Sequence, residues 1–165
     1  MFELKVLSRE AIPKALERAE RYRLLNEPGE AESICIDVLR VEPDNRQAVV
    51  MLLLALTDQF EDERASSLSR SRELLPRLAD DYSRAYYAGI ICERRAKAVL
   101  KRSVPSSRGA AHASLTEAMG WFEKAEALRP SGNDEALLRW NTCARILAQE
   151  ELVPSREERT EHQLE

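Results

Sequence analysis

The stretch Glu117-Ala-Met-Gly-Trp-Phe-Glu-Lys-Ala-Glu-Ala-Leu-Arg-Pro130 decides the fold. Its apolar and charged residues alternate at helical spacing, and a proline ends it. Ala118 and Ala125 are small enough to let a second helix approach closely, while Phe122 between them fills the gap between helix pairs. Pro130-Ser-Gly-Asn133 is a strong stop.

The same grammar extends outward from this helix. Between Ser8 and Leu152, Ala, Leu, Glu and Arg dominate at helical spacing, and no strand-like alternation of β-branched residues occurs, so an all-α chain is predicted. Ser8 is the expected cap of a first helix that accommodates Pro13 near its start and runs to Leu25. Asn26-Glu-Pro-Gly29 turns the chain into a second helix whose buried face is Ala31, Ile34, Cys35, Val38 and Leu39, and Pro43-Asp-Asn45 stops it. Further helices are expected over Gln47–Gln59, about Asp62–Leu75, Asp81–Lys101, Ala113–Leu128 and Asp134–Gln149. Pro105 and three serines between Ser103 and Arg108 predict an inserted basic loop at about 102–112, with His112 in it. Residues 1–152 thus form one expected helical domain, followed by a charged, flexible tail at 153–165.

Short helices joined by proline-marked turns invite a test for a repeat. A first unit reads Ala19-x-x-Tyr22, then Ala31, Cys35, Val38 and Pro43. The Glu117–Pro130 stretch has the matching second helix through Ala118, Phe122, Ala125 and Pro130, with Gly89 and Cys92 in the first helix of that unit. Ala31 to Ala65 is 34 residues, and Ala19 and Tyr22 recur as Leu53 and Leu56. The middle unit is degenerate, since Pro76 lies 33 residues after Pro43 and the polar Ser69 and Arg72 take apolar-looking places.

This pattern resembles the tetratricopeptide repeat family over nearly the whole ordered chain. The resemblance implies an α-solenoid of about three antiparallel helix pairs plus a C-terminal capping helix. It also implies a concave groove, lined by the first helix of each pair, that accepts a peptide or helix of another protein. In this sequence the groove positions are Leu16, Glu20 and Arg23, then Val50, Leu54 and Asp58, then Tyr86, Ile90 and Arg94, and finally Asn141 and Arg145. One branch of the family grips a chaperone's terminal carboxylate with Lys and Asn. Leu16 and Glu20 stand at those places, which speaks against that activity.

Composition narrows the function classes. With 44% hydrophobic and 33% charged residues, the chain is neither disorder-like nor membrane-like. The longest apolar run, Ala48–Leu56, is too short to span a bilayer, and the amino terminus has no signal-peptide pattern, so a cytoplasmic location without membrane contact is expected. Cys35, Cys92 and Cys143 each lie in an apolar helical stretch and read as buried reduced thiols.

Chemistry is hard to find. The two histidines, His112 and His162, pair with no cysteine at metal-ligand spacing, and no phosphate-cradling or nucleophile-elbow motif occurs. No enzyme, no catalytic residue, no metal and no cofactor is therefore expected. Carboxylate pairs such as Asp80 and Asp81 read as caps and solvated faces.

One charge feature rises above background. Arg94, Arg95, Lys97, Lys101, Arg102 and Arg108 form a basic stretch with no acid inside it, on a chain whose net charge is -4. The leading expectation is a non-catalytic scaffold or adaptor that binds another protein or peptide. The alternatives are a nucleic-acid or other anionic partner at 94–108, and self-association through exposed helical faces.

Overall fold

A computed structural model describes residues 1–62 and 66–154. Among these residues all regular structure is helical, in seven α-helices and two 3-10 turns. The chain divides into two compact units, Met1–Ala79 and Asp80 onward. No helix of the described residues is long and apolar enough to cross a membrane.

In the first unit, a 3-10 turn at Arg9–Ala11 leads into α1, Ile12–Leu24. Pro13 sits in the first turn, where its missing N–H costs nothing. Ser8 caps only through its carbonyl, which accepts from the Ala11 N–H at 3.1 Å; its side chain makes no capping bond. Asn26 reverses the chain at φ 59°, a left-handed conformation that asparagine tolerates well. Next come α2, Pro28–Val41, and α3, Arg46–Thr57, whose cap Asn45 accepts from the Ala48 N–H at 2.9 Å. The short α4, Ser67–Leu74, ends in a 3-10 turn at Leu75–Arg77 that contains Pro76. Successive helices pack on one another, and α1 also meets α3.

The burial pattern shifts the expected register. Helix α2 buries Ala31, Cys35 and Val38, while α4 buries Ser67, Ser71 and Leu74 at the same spacing, 36 residues further on. Ala19 and Ala55, also 36 residues apart, are both fully buried. Ser69 and Arg72 are exposed, so they do not occupy apolar places. The expected match at Ala65 lies outside the described residues. The spacing is hard to see because two of these places hold serine: the Ser71 hydroxyl donates to the Leu68 carbonyl at 2.8 Å, whereas the buried Ser67 hydroxyl has no hydrogen-bond partner among the described residues.

The second unit is built on a long hairpin. Asp80 caps α5, Asp81–Lys101, by accepting from the Ser83 N–H at 2.7 Å. Helix α6 spans Ser107–Leu128 and α7 spans Glu135–Gln149. Helix α6 begins six residues before its expected start, so residues 107–112 are helix rather than inserted loop. Pro105 just precedes the first turn, where proline is tolerated, and Ala110, Ala111 and Ala113 favour helix. Ala111, Leu115, Ala118, Phe122 and Ala125 then form one fully buried stripe.

Helices α5 and α6 meet at Gly89, where an added Cβ would lie 2.5 Å from a Phe122 ring carbon. Gly89→Ala is therefore expected to destabilise the protein by about 1–3 kcal/mol despite alanine's better helix propensity. Gly120, whose added Cβ would meet nothing within 4 Å, provides the control: Gly120→Ala is expected to gain about 0.5–1 kcal/mol. Urea denaturation of the two variants checks the opposite signs.

Candidate functional site

In each unit the first and third helices are joined by charged side chains, and these faces carry most of the expected groove residues. On α1 and α3, Arg23 Nε donates to Asp58 Oδ2 at 2.7 Å, with both side chains less than a fifth exposed. Val50 and Leu54 are half-buried beside them in sequence, and Glu20 is exposed. Behind them Glu32 accepts from Gln59 at 2.7 Å and pairs with Arg70 at 2.5 Å, tying α2 to α3 and α4. Leu16 differs from expectation: it is 3% exposed, within a core cluster of Ile12, Val38 and Ala48, and offers no surface to a partner.

On α5 and α7 the arrangement centres on Glu93, which is completely buried. It pairs with Lys97 one turn along α5 and accepts from Arg139 of α7 at 3.3 Å. Its Oε2 has no hydrogen-bond partner among the described residues. A buried carboxylate is tolerated here because two cations face it. Burial works to lower the Arg139 pKa, but the Glu93 charge and the Tyr86 hydroxyl outweigh it, so the net direction is up.

Tyr86 extends this network into an aromatic face. Its ring stacks on Tyr82 at 5.9 Å, meets Tyr87 edge-on at 5.1 Å and tilts against Phe122 at 6.0 Å. Asn133 donates to the Tyr82 hydroxyl at 3.0 Å, fixing the outer ring of the stack. Burial raises the pKa values of both tyrosines, so both stay neutral hydrogen-bonding groups at pH 7. Of the other expected groove residues, Arg94 and Asn141 are half-buried and Arg145 is exposed. Ile90 is 2% exposed and is core.

The basic stretch is not one free surface. Lys97 is engaged by Glu93, and Arg108 donates to the Glu150 carbonyl. Arg94 and Arg95 are half-buried, while Lys101 and Arg102 are exposed. His112, expected in an exposed loop, is instead half-buried in α6 with its Nδ1 enclosed and unpartnered among the described residues. His162 lies outside the described residues. No group of three or more His, Cys, Asp or Glu side chains able to hold a metal occurs among the described residues. Trp121 and Trp140 are half-buried; Lys124 sits over the Trp121 ring at 4.3 Å, and Trp140 donates to Glu123 at 2.9 Å.

Sequence reasoning does not single out Glu93. Its signal is an acid closing the apolar run Ala88–Cys92 four residues before Lys97, a spacing that puts the two on one helix face. Compared with family models, curated proteins and solved structures, the chain gives no match to any of them.

Two outcomes are expected. Arg139→Leu leaves Glu93 with one cation and costs about 1–3 kcal/mol, whereas Glu93→Leu combined with Arg139→Leu costs less than the two single losses together. Chemical denaturation of the three variants measures that coupling. None of the three buried cysteines is in a disulfide, and burial pushes Cys35 and Cys143 up to about 12. Below their ordinary value of 9.0 these thiols are neutral folded or unfolded; above it only the unfolded chain ionises, so stability falls as pH rises from about 9 to 12. At pH 8, alkylation of Cys35 and Cys143 is expected to be at least about a hundredfold slower in the native protein than in urea, by mass spectrometry.

Proposed function

We infer that this chain is a tetratricopeptide-like α-solenoid protein and a non-catalytic scaffold or adaptor. In this reading it holds a peptide or helix of another protein against the exposed parts of the α1–α3 face, the α5–α7 face, or both. A cytoplasmic setting belongs to the same reading, because three buried cysteines outside any disulfide suit a reducing compartment.

The observation that carries the proposal is the recurrence of one buried pattern. Ala31, Cys35 and Val38, then Ser67, Ser71 and Leu74, then Ala118, Phe122 and Ala125 occupy equivalent positions in α2, α4 and α6. Such repetition is the packing signature of stacked helix pairs, which leave the first helix of each pair available to a partner. Stacked, half-buried Tyr82 and Tyr86 supply rigid contact area, and Arg139 and Asn141 supply directional donors. Leu16 and Ile90 drop out of the binding set because they are core. An anionic partner at 94–108 is the weaker reading, since Lys97 and Arg108 already have intramolecular acceptors.

Photo-crosslinking in the native cell tests this. A crosslinker at Leu54 or at Tyr86 is expected to yield a discrete protein adduct, whereas one at the exposed Arg40 of α2 yields none. Absence of an adduct at both face positions, or the same adduct from Arg40, would contradict the reading. Tyr86→Ala should lose the α5–α7 partner without loss of helical circular dichroism.

A further inference from the structure

The first six residues expose an apolar surface that nothing in the first unit covers. Met1-Phe-Glu-Leu-Lys-Val6 runs without regular structure, with Phe2 99%, Leu4 70% and Val6 76% exposed. Phe2, Leu4 and Val6 together form an exposed apolar edge. Leu7 packs against the core cluster that contains Ile12 and Leu16. The segment is thus anchored at its inner end, while Phe2 and Leu4 stand exposed.

Beside the anchor lies an open apolar hollow of about 270 Å³, floored by Leu7, Ala11, Ala15 and Ile34. Lys14, Arg18 and Asp37 line it too; neither Lys14 nor Arg18 has an ion-pair partner among the described residues, and Glu3 has none either. Two cations against one acid leave the rim net positive. The hollow therefore suits an apolar side chain followed by an acid, and Phe2-Glu3 is that pair.

A chain cannot readily fill its own hollow. Leu7 forms part of the floor, so Phe2 would have to return across Glu3, Leu4, Lys5 and Val6, a stretch without glycine, proline, asparagine or aspartate to make the turn. A second copy has no such constraint. Because edge and hollow adjoin, one two-fold contact satisfies both on both copies.

We propose that this protein self-associates by reciprocal exchange of its N-terminal segments, Phe2 of each copy entering the α1–α2 hollow of the other and Glu3 pairing with Lys14 and Arg18. The contact is small, so the association is weak and rises with concentration. It is independent of the proposed α1–α3 and α5–α7 binding faces and can stand or fall without them.

Sedimentation equilibrium of the full chain from low to several hundred micromolar tests the exchange. The wild-type mass is expected to climb toward twice the monomer value. Phe2→Asp, which spoils the edge, and Ala15→Arg, which fills the hollow, are each expected to weaken association by at least about tenfold while keeping the wild-type circular dichroism. An equimolar mixture of the two variants retains one intact edge and one intact hollow, so it should associate more strongly than either variant alone. Raising salt should weaken the wild-type association through the Glu3 pairs. A constant monomer mass throughout would overturn the proposal and leave the edge to a different protein. A dimer unaffected by either substitution, or a mixture no stronger than its components, would overturn it in favour of another interface.

Discussion

Phe122 lies across the backbone of α5 at the one point where that helix has no side chain. An alanine methyl at position 89 would sit 2.5 Å from the ring, well inside contact distance, so glycine sets how closely α5 and α6 approach. The remainder of the second unit depends on that spacing. Ala118 and Ala125 flank Phe122 with no exposure, the ring is covered by Tyr86, and Tyr86 in turn reaches Arg139 on α7. The aromatic face proposed to meet a partner is therefore held from below by a helix crossing.

The first unit uses alanine to similar effect, with Ala19, Ala31, Ala48 and Ala55 all without exposure. Both units then add a charged link from first helix to third: Arg23 to Asp58 in one, Glu93 to Arg139 in the other. Such links contribute modest stability but fix direction, because a bidentate-capable guanidinium accepts only a narrow range of carboxylate positions. Apolar packing sets the separation of the helices, and the ion pairs define their rotation. Val50 and Leu54 lie half-buried on α3, the helix that Asp58 directly follows.

Much of the fold is legible in the residues, and the misreadings share a cause. Helix α5 matches its expectation at both ends because Asp80 is a strong cap and no breaker interrupts the twenty-one residues after it. Helix α6 is misjudged at its start because Pro105 and three serines look like a loop, although proline before a first turn is compatible with helix. The burial of α4 departs from the expected 34-residue spacing because two of its buried positions are Ser67 and Ser71, whose polarity conceals a packing role. The candidate site is only partly legible: Arg23, Asp58 and Tyr86 do lie at half-buried positions on the linked faces, but Leu16 and Ile90 are sealed in the core. Periodicity identifies which residues share a helix face; it does not reveal which part of that face the next helix covers. Glu93 escapes notice because a single charge at helical spacing is ordinarily solvated.

The claim that the α5–α6 approach governs the second unit is tested most directly by a double-mutant cycle on Gly89 and Phe122. Combining Gly89→Ala with Phe122→Leu removes ring atoms that meet the new methyl. A pairwise coupling above about 1 kcal/mol is expected, the double variant being more stable than the summed single losses imply. Strictly additive losses would contradict it, because the methyl and the ring would then not compete for the same space.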